Sequence, residues 1–581
     1  MKKFTLPLLL MSGLTINVAA QEIRIIDQAD SPAAIPKYNK FSHSFIINGV
    51  DFTNPFDSSE VQVDAFVVAP DGSELTVPMF YKSSTAGNTQ WGFNFAPRKA
   101  GSYSYHIEMQ HDGQNIKTNS YTFKSLPSDS KGFLGVDNNM GSWVYDNGDR
   151  FRGVGLNIGW EARLEIDDKP ADDPGYTYEY WMKKMNESDV NLIRTWINAP
   201  WNIPLEWNQP VYGRFLPNQT PGLHPEAIDR FDYLIDHAEK NDVKLILVMD
   251  YHGSLWANDF DNWGNDYWRL NPYNEVNGGP ASTPEEFFTH PEAISRYQDR
   301  LRYIVARWGY STNIAAIEFW NEVDNAVHKK DQNISDEAVT NWHSIMSNYL
   351  NSVDPYNHIQ TTSISHIEID GLFELKGIDF IQTHLYGLSS TDTEKQIRDM
   401  SERYTKSYAV GEAALGWEGV QDRIEEYALH LHESLWVAMF NKTPFLPMTW
   451  WWEDYDEAEQ MYHLKHAANF IENLTSTDEV FDQKLAVSLD EDLLYRTLSN
   501  GDTHFFWVKN TTDSKLNSTQ ITLFGDDDTQ LSGKFSVELY DTWTGETKVA
   551  DHLNAVDNKV VFSLSALDKN KDLVVMFTSL D

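Results

Sequence analysis

The sequence predicts an α/β protein, a (β/α)8 TIM barrel flanked by N-terminal and C-terminal antiparallel β-sandwich domains. Three observations lead there. Short alternating apolar and polar runs fill both ends of the chain. The middle changes to apolar runs separated by amphipathic helical stretches. Those apolar runs number eight.

The elements follow in chain order. Met1-Lys2-Lys3 is a basic start, Phe4 to Val18 is mostly apolar, and Val18-Ala19-Ala20 supplies small residues before Gln21. That pattern predicts an export leader over 1–20, removed from a secreted or periplasmic protein. Over 21–127, runs such as Val61–Val68 and Ser102–Glu108, with the turn Pro70-Asp71-Gly72 between them, predict the first sandwich. Leu126–Lys131 reads as a linker.

The barrel is expected over 128–475. Its strands are predicted at Gly153–Ile158, Leu192–Ile197, Lys244–Asp250, Ala315–Trp320, His358–Ser363, Phe380–His384, Tyr408–Gly411 and Leu446–Trp450. Helices are expected at Pro225–Asn241, Pro291–Trp308, Asp336–Ser352 and Glu418–Phe440. Over 476–581 the short alternating runs return, at Thr503–Val508, Phe535–Tyr540 and Leu573–Phe577, and predict the second sandwich.

Charge narrows the partners. The chain has 46 basic and 86 acidic residues, a net of −40. Phosphate backbones and anionic membrane surfaces are repelled by such a protein, so neither nucleic acid nor membrane insertion belongs to this reading. A saline medium suits it, because molar salt shortens the Debye length to about 3 Å. Cysteine is absent, which removes disulfides, thiolate metal sites and catalytic thiols. The 20 Trp, 27 Tyr and 30 Phe are a large aromatic supply. Sugar-binding clefts use such faces as well as cores do.

In a barrel of this type the chemistry sits at the C-terminal strand ends. The fourth predicted strand ends in Trp320-Asn321-Glu322 and the seventh in Gly411-Glu412-Ala413. Two glutamates so placed can face one another across the mouth. One would stay protonated to assist a leaving group while the other attacks an anomeric carbon.

These residues, with Arg194, His252 in Met249-Asp250-Tyr251-His252, His384-Leu385-Tyr386 and Trp450, resemble clan A glycoside hydrolases. The nearest likeness is to the cellulase-like glycoside hydrolase family 5. The resemblance implies that Glu322 is the acid/base and Glu412 the nucleophile. It implies that Asn321 binds the sugar 2-hydroxyl, that His384 and Tyr386 orient the pair, and that Arg194 holds the nucleophile ionised. Asn54-Pro55-Phe56, Pro78–Tyr81 and Gly101-Ser102-Tyr103 resemble the uncharacterised sandwich that precedes such barrels. Tyr540-Asp541 with Thr544-Gly545-Glu546 resembles their terminal sandwich.

Other polar residues take plainer readings. Glu318 shares the strand parity of Glu322 and is expected to be a paired carboxylate inside the barrel. His252 is read as a hydrogen-bonding residue of the site, since no second His stands nearby at ligand spacing. His430, His432, His463 and His466 are assigned to surface or packing. Asp259–Asp261 and Asp526–Asp528 lack a calcium-loop pattern. No cofactor and no metal enter this reading.

Sixteen of the Trp fall between 160 and 452. Trp160, Trp256, Trp263, Trp417, Trp450 and Trp451 stand where either a sugar subsite or a core would use them. The site residues expected to bind substrate are therefore Arg194, His252, Asn321, His384, Tyr386, Trp450, Trp160 and Trp256.

The long excursion from Gly253 to Thr289 points to a closed-off cleft and exo-action. Among substrates, the acidic surface favours a neutral or low-sulfate polymer. An algal galactan of agar or carrageenan type comes first, with β-mannan or β-glucan as the alternative. A non-catalytic carbohydrate-binding protein is the competing reading from another class.

Overall fold

The computed structural model describes residues 22–580 apart from 29–30, 138–140, 163–175, 211–214, 221, 258–266, 329–331, 333, 476–485, 489–492, 500–501 and 526–529. The expected leader, Asp259–Asp261, Trp263 and Asp526–Asp528 lie outside the described residues. The fold is mixed α/β.

Over 24–126 two sheets form, mostly antiparallel. One carries Phe41–Asn48 paired with Asn88–Phe95, and the other pairs Val61–Val68 with Gly101–His111. Their inward rows alternate as the sequence does: Phe41, Phe45 and Ile47 are buried while Ser42 is exposed. Phe41 of the first sheet stacks on Phe123 of the second at 4.1 Å between centroids and meets Tyr105 edge-on at 5.6 Å.

The central region is parallel. Gly155–Asn157, Leu192–Trp196, Lys244–Val248, Ile314–Glu318 and Ile359–Thr361 pair side by side in that order. Ser363–Ile364, Phe380–Tyr386 and Ser407–Ala414 form a second parallel sheet. These strands are buried throughout, which is why they read as continuous apolar runs.

Helices Pro225–Asn241 and Pro291–Trp308 have the predicted bounds. Proline opens each first turn, where its missing N–H costs nothing. Three elements differ from expectation, the first being the predicted strand His358–Ser363, which is divided between Ile359–Thr361 in one sheet and Ser363–Ile364 in the other. The helix expected from Glu418 begins at Ile424 instead. Gly419 and Gln421 adopt positive φ, at 105° and 52°, and turn the chain first. Leu446–Trp450 forms no strand, only isolated parallel bridges Gly153↔Phe445 and Ala413↔Thr449.

The 444–449 segment still joins both sheets. Gly153 N donates to Pro444 O at 2.8 Å and Asn157 N to Thr449 O at 3.1 Å, while Ala413 N donates to Met448 O at 2.8 Å. Beyond 486, sheets of three and five antiparallel strands share a core that includes Phe506, Phe562 and Phe577. Among the described residues, no helix is long and apolar enough to cross a membrane.

Candidate active site

The C-terminal ends of the parallel strands bring the predicted polar residues together. Arg194 comes from Leu192–Trp196, and Glu318 ends Ile314–Glu318, with Asn321 and Glu322 just beyond. His384 and Tyr386 come from Phe380–Tyr386, and Glu412 from Ser407–Ala414. A register shift between Thr383 and His384 sets His384 opposite Glu412. A bulge of this kind re-aims a side chain beside a site.

Arg194 is fully buried and organises the floor. Nε and Nη2 donate to the two oxygens of Glu318, each at 2.7 Å. Nη1 donates to Glu412 Oε1 at 2.6 Å and to Asn157 Oδ1 at 3.0 Å, and Nη2 also donates to Asn321 Oδ1 at 2.6 Å. Glu318 is thus ion-paired. Burial works against its charged form, yet Arg194 holds it below the usual carboxylate range.

Tyr386 donates its hydroxyl to Glu412 Oε2 at 2.6 Å. Burial drives the Tyr386 phenol well above its ordinary value, so it remains a donor. His384 Nδ1 lies 2.9 Å from Glu322 Oε1 and 3.4 Å from Glu412 Oε1. Burial lowers His384 to about 4, so its imidazole is neutral near pH 7. Among the described residues its Nε2 has no partner, which favours the hydrogen on Nδ1, aimed at the carboxylates.

Both glutamates are pushed up. For Glu412, burial outweighs the pull of His384 and Arg194, and Glu322 adds to the rise. For Glu322, burial outweighs His252, and Asp324 adds to the rise. His252 Nδ1 is 3.5 Å from Glu322 Oε2 and 3.2 Å from Asn321 Nδ2. Oxygens of Glu322 and Glu412 and a His384 ring nitrogen all lie within 4.8 Å of one another. By donor type that trio suits a transition metal, but the Arg194 cation beside Glu412 opposes one.

Trp256 packs on His252 at 5.0 Å between centroids. Trp160 and Trp450 belong to an aromatic cluster with Trp196 and Trp452. Trp417 is 70% exposed, on the loop after Ser407–Ala414. Asn157, Ser363 and Asn325 also enter the site and were missed in the sequence. Asn157 was findable, because it stands near the end of the first predicted strand as Arg194 does on the second.

Residues 34–110 match a family described as a domain of unknown function, DUF5060. Mannan endo-1,4-beta-mannosidase F of Aspergillus fumigatus is 25% identical over 256 residues, 43% of this chain and 50% of that one. Its counterpart in Aspergillus clavatus is 28% identical over 273 residues, 43% and 57% of the two chains. The chain resembles clan A glycoside hydrolases.

Solved structures give the same likeness in fold. A Bacteroides vulgatus protein provisionally described as a glycoside hydrolase has a TM-score of 0.64 at 16% identity, covering 94% of this chain and 99% of its own. A glycoside hydrolase family 5 protein from the same organism has a TM-score of 0.51 at 15% identity, covering 77% and 94%. The matched stretches span about half the length of the two mannosidases.

Proposed function

We propose that the protein is a secreted retaining β-glycoside hydrolase that cleaves a β-mannan internally by double displacement. Its central region would be a (β/α)8 barrel closed through 444–449, within 128–475, between β-sandwiches over 21–127 and 476–581. The single observation that carries the chemistry is the close approach of Glu322 and Glu412 around His384, within 4.8 Å. Retaining enzymes need their carboxyl groups about 5–5.5 Å apart, whereas inverting ones leave room for a water.

In the first step Glu322 gives its proton to the glycosidic oxygen while Glu412 attacks the anomeric carbon. The carbon–oxygen bond to the leaving sugar breaks and an ester to Glu412 forms. In the second step Glu322 takes a proton from water, whose oxygen attacks the same carbon and frees Glu412. Arg194 and the Tyr386 hydroxyl stabilise the carboxylate released. His384, neutral, moves with neither charge.

The substrate reading follows the relatives, which are named for internal cleavage of mannan. It replaces the galactan and the exo-action that acidity and the 253–289 excursion suggested, since both names give mannan and internal cleavage instead.

The test is digestion of linear β-mannan, β-glucan, agarose and carrageenan, with sizing of early products, beside Glu412→Ala. Mixed-length oligomers from mannan alone, first released as the β-anomer and absent with Glu412→Ala, are expected. Added azide should then restore turnover of an activated aryl mannoside by Glu412→Ala, giving the inverted azide. Galactan cleavage or an α-anomer product would sink the proposal.

A further inference from the structure

Asn325 escaped the sequence reading, and it grips Glu322 at two points. Its Nδ2 donates to Glu322 Oε2 at 2.9 Å, and its backbone N–H donates to the Glu322 carbonyl, also at 2.9 Å. Ser363 Oγ accepts the Glu322 N–H at 3.0 Å. Between these holds the Glu322 backbone is left-handed, at φ 49° and ψ 53°. A residue with a side chain rarely adopts that conformation, and it persists where surrounding bonds impose it.

The two oxygens of Glu322 are therefore unlike. Oε2 receives the Asn325 amide, with His252 3.5 Å away. Oε1 faces His384 Nδ1, the atom that also reaches toward Glu412. Each oxygen faces one nitrogen at 2.9 Å, but the His384 nitrogen has a second carboxylate, Glu412, 3.4 Å away, to which its hydrogen can turn.

We propose that Asn325 is a positioning residue that keeps the transferable proton of Glu322 on Oε1, the oxygen on the Glu412 side, by occupying Oε2. This rests on the acid/base reading of Glu322 and extends it to a single atom. When Oε1 carries the proton, the His384 Nδ1–H has Glu412 Oε1 as its acceptor, 3.4 Å away.

The charged and titratable groups facing Glu322 are His252, His384, Arg194, Glu412 and Asp324. Burial and Asp324 push its carboxyl up, while His252, the Asn325 hydrogen bond and Arg194 pull it down. Loss of the Asn325 donor therefore raises the pH at which the acid form is lost.

The experiment compares wild type, Asn325→Ala and Asn325→Asp on a mannan oligosaccharide and on 2,4-dinitrophenyl β-mannoside. The oligosaccharide leaves as a sugar alkoxide that needs a proton, and dinitrophenolate needs none. The expected result is at least a ~10-fold fall in kcat/KM on the oligosaccharide against less than ~3-fold on the aryl substrate. The alkaline limb of the oligosaccharide profile moves to higher pH.

Asn325→Asp offers Oε2 only oxygens and draws the proton there, so its gap between substrates is the wider. Equal losses on both substrates in both variants, or an alkaline limb that stays in place, overturn the assignment. A wild-type protein that turns over neither substrate overturns the hydrolase reading instead, and the proton assignment with it.

Discussion

Arg194 divides its guanidinium between two carboxylates, and the division sets how much charge reaches Glu412. Glu318 takes the bidentate face while Glu412 receives one N–H. The Tyr386 hydroxyl is then the second donor that favours the ionised form of Glu412, against the burial that raises it. Tyr386→Phe removes a hydrogen bond to the charged form, so the Glu412 carboxyl should rise further. Activity that needs an ionised nucleophile should then fail at a higher pH than in the wild type. The acid limb of kcat/KM for an aryl mannoside is expected to move up by about half a unit to one unit. A limb in the wild-type position would mean that Tyr386 serves the substrate rather than the nucleophile. The companion test is Glu322→Ala, which should keep slow turnover only where the leaving group needs no proton. The proposed catalytic residues were legible in the sequence because each falls at or just past the end of an apolar run. Asn325, on the short helix Val323–Val327, was not, because a hydrogen bond back to the residue before the helix leaves no periodic trace; Ser363 ended a predicted strand, but its residue type did not single it out.

At the scale of elements, legibility followed burial and capping. Pro225–Asn241 and Pro291–Trp308 announced themselves by an opening proline and an amphipathic stripe. The strands showed as apolar runs, while the turn delaying helix Ile424–Met439 depended on backbone angles that composition does not reveal. Arg152 was invisible for another reason, since its partners are backbone carbonyls. Its buried guanidinium donates to Met439 O at 2.7 Å, Ala438 O at 2.9 Å, Asn441 O at 2.7 Å and Thr443 O at 3.2 Å. It thereby satisfies the C-terminal end of that helix and the turn leading to 444–449, the segment that joins the two parallel sheets. Arg152→Met fills the space but removes the guanidinium donors from the Met439, Asn441 and Thr443 carbonyls, while Ala438 O keeps the Asn441 N–H. A loss of roughly 3 kcal/mol in stability is expected, read as a lower denaturant midpoint. The folded variant should keep its kcat within about twofold, because Arg152 contacts none of the Arg194 network. A large kcat loss at unchanged stability would contradict this separation of roles.

Across the whole molecule, both terminal regions are fastened to the helices of the central one by buried polar bonds. On the N-terminal side, Asn94 Nδ2 donates to Arg307 O at 2.8 Å, Ala96 N to Tyr356 OH at 3.0 Å, and Arg302 to Asp64 at 2.5 Å. On the C-terminal side, beside the Arg496–Glu394 and Lys509–Glu433 pairs, a cluster forms around Asp572, buried at the start of Asp572–Ser579. Its carboxylate accepts from Trp507 Nε1 at 2.5 Å and Trp543 Nε1 at 2.7 Å. His432 Nε2, on helix Ile424–Met439, lies 2.8 Å from it. Burial opposes the charged form, but these partners hold Asp572 below the ordinary aspartate range. A carboxylate depressed in the folded state contributes stability above its unfolded value near 4, and that contribution is lost as pH falls through the folded value. Acid should therefore loosen the C-terminal sheets from helix Ile424–Met439, whereas the N-terminal attachment keeps its neutral bonds to Arg307 and Tyr356 when acid weakens the Arg302–Asp64 pair. Limited proteolysis between pH 6 and pH 3 should release a fragment from about residue 476 onward while 22–475 stays intact. Asp572→Asn should bring that release to neutral pH and lower stability there by about 2 kcal/mol, since an amide accepts through one oxygen where the carboxylate used two. Its remaining stability should then be nearly flat across the acid range, where the wild type falls. If the N-terminal fragment separates first, or the Asn variant keeps the wild-type acid dependence, Asp572 is not the group that couples C-terminal docking to pH.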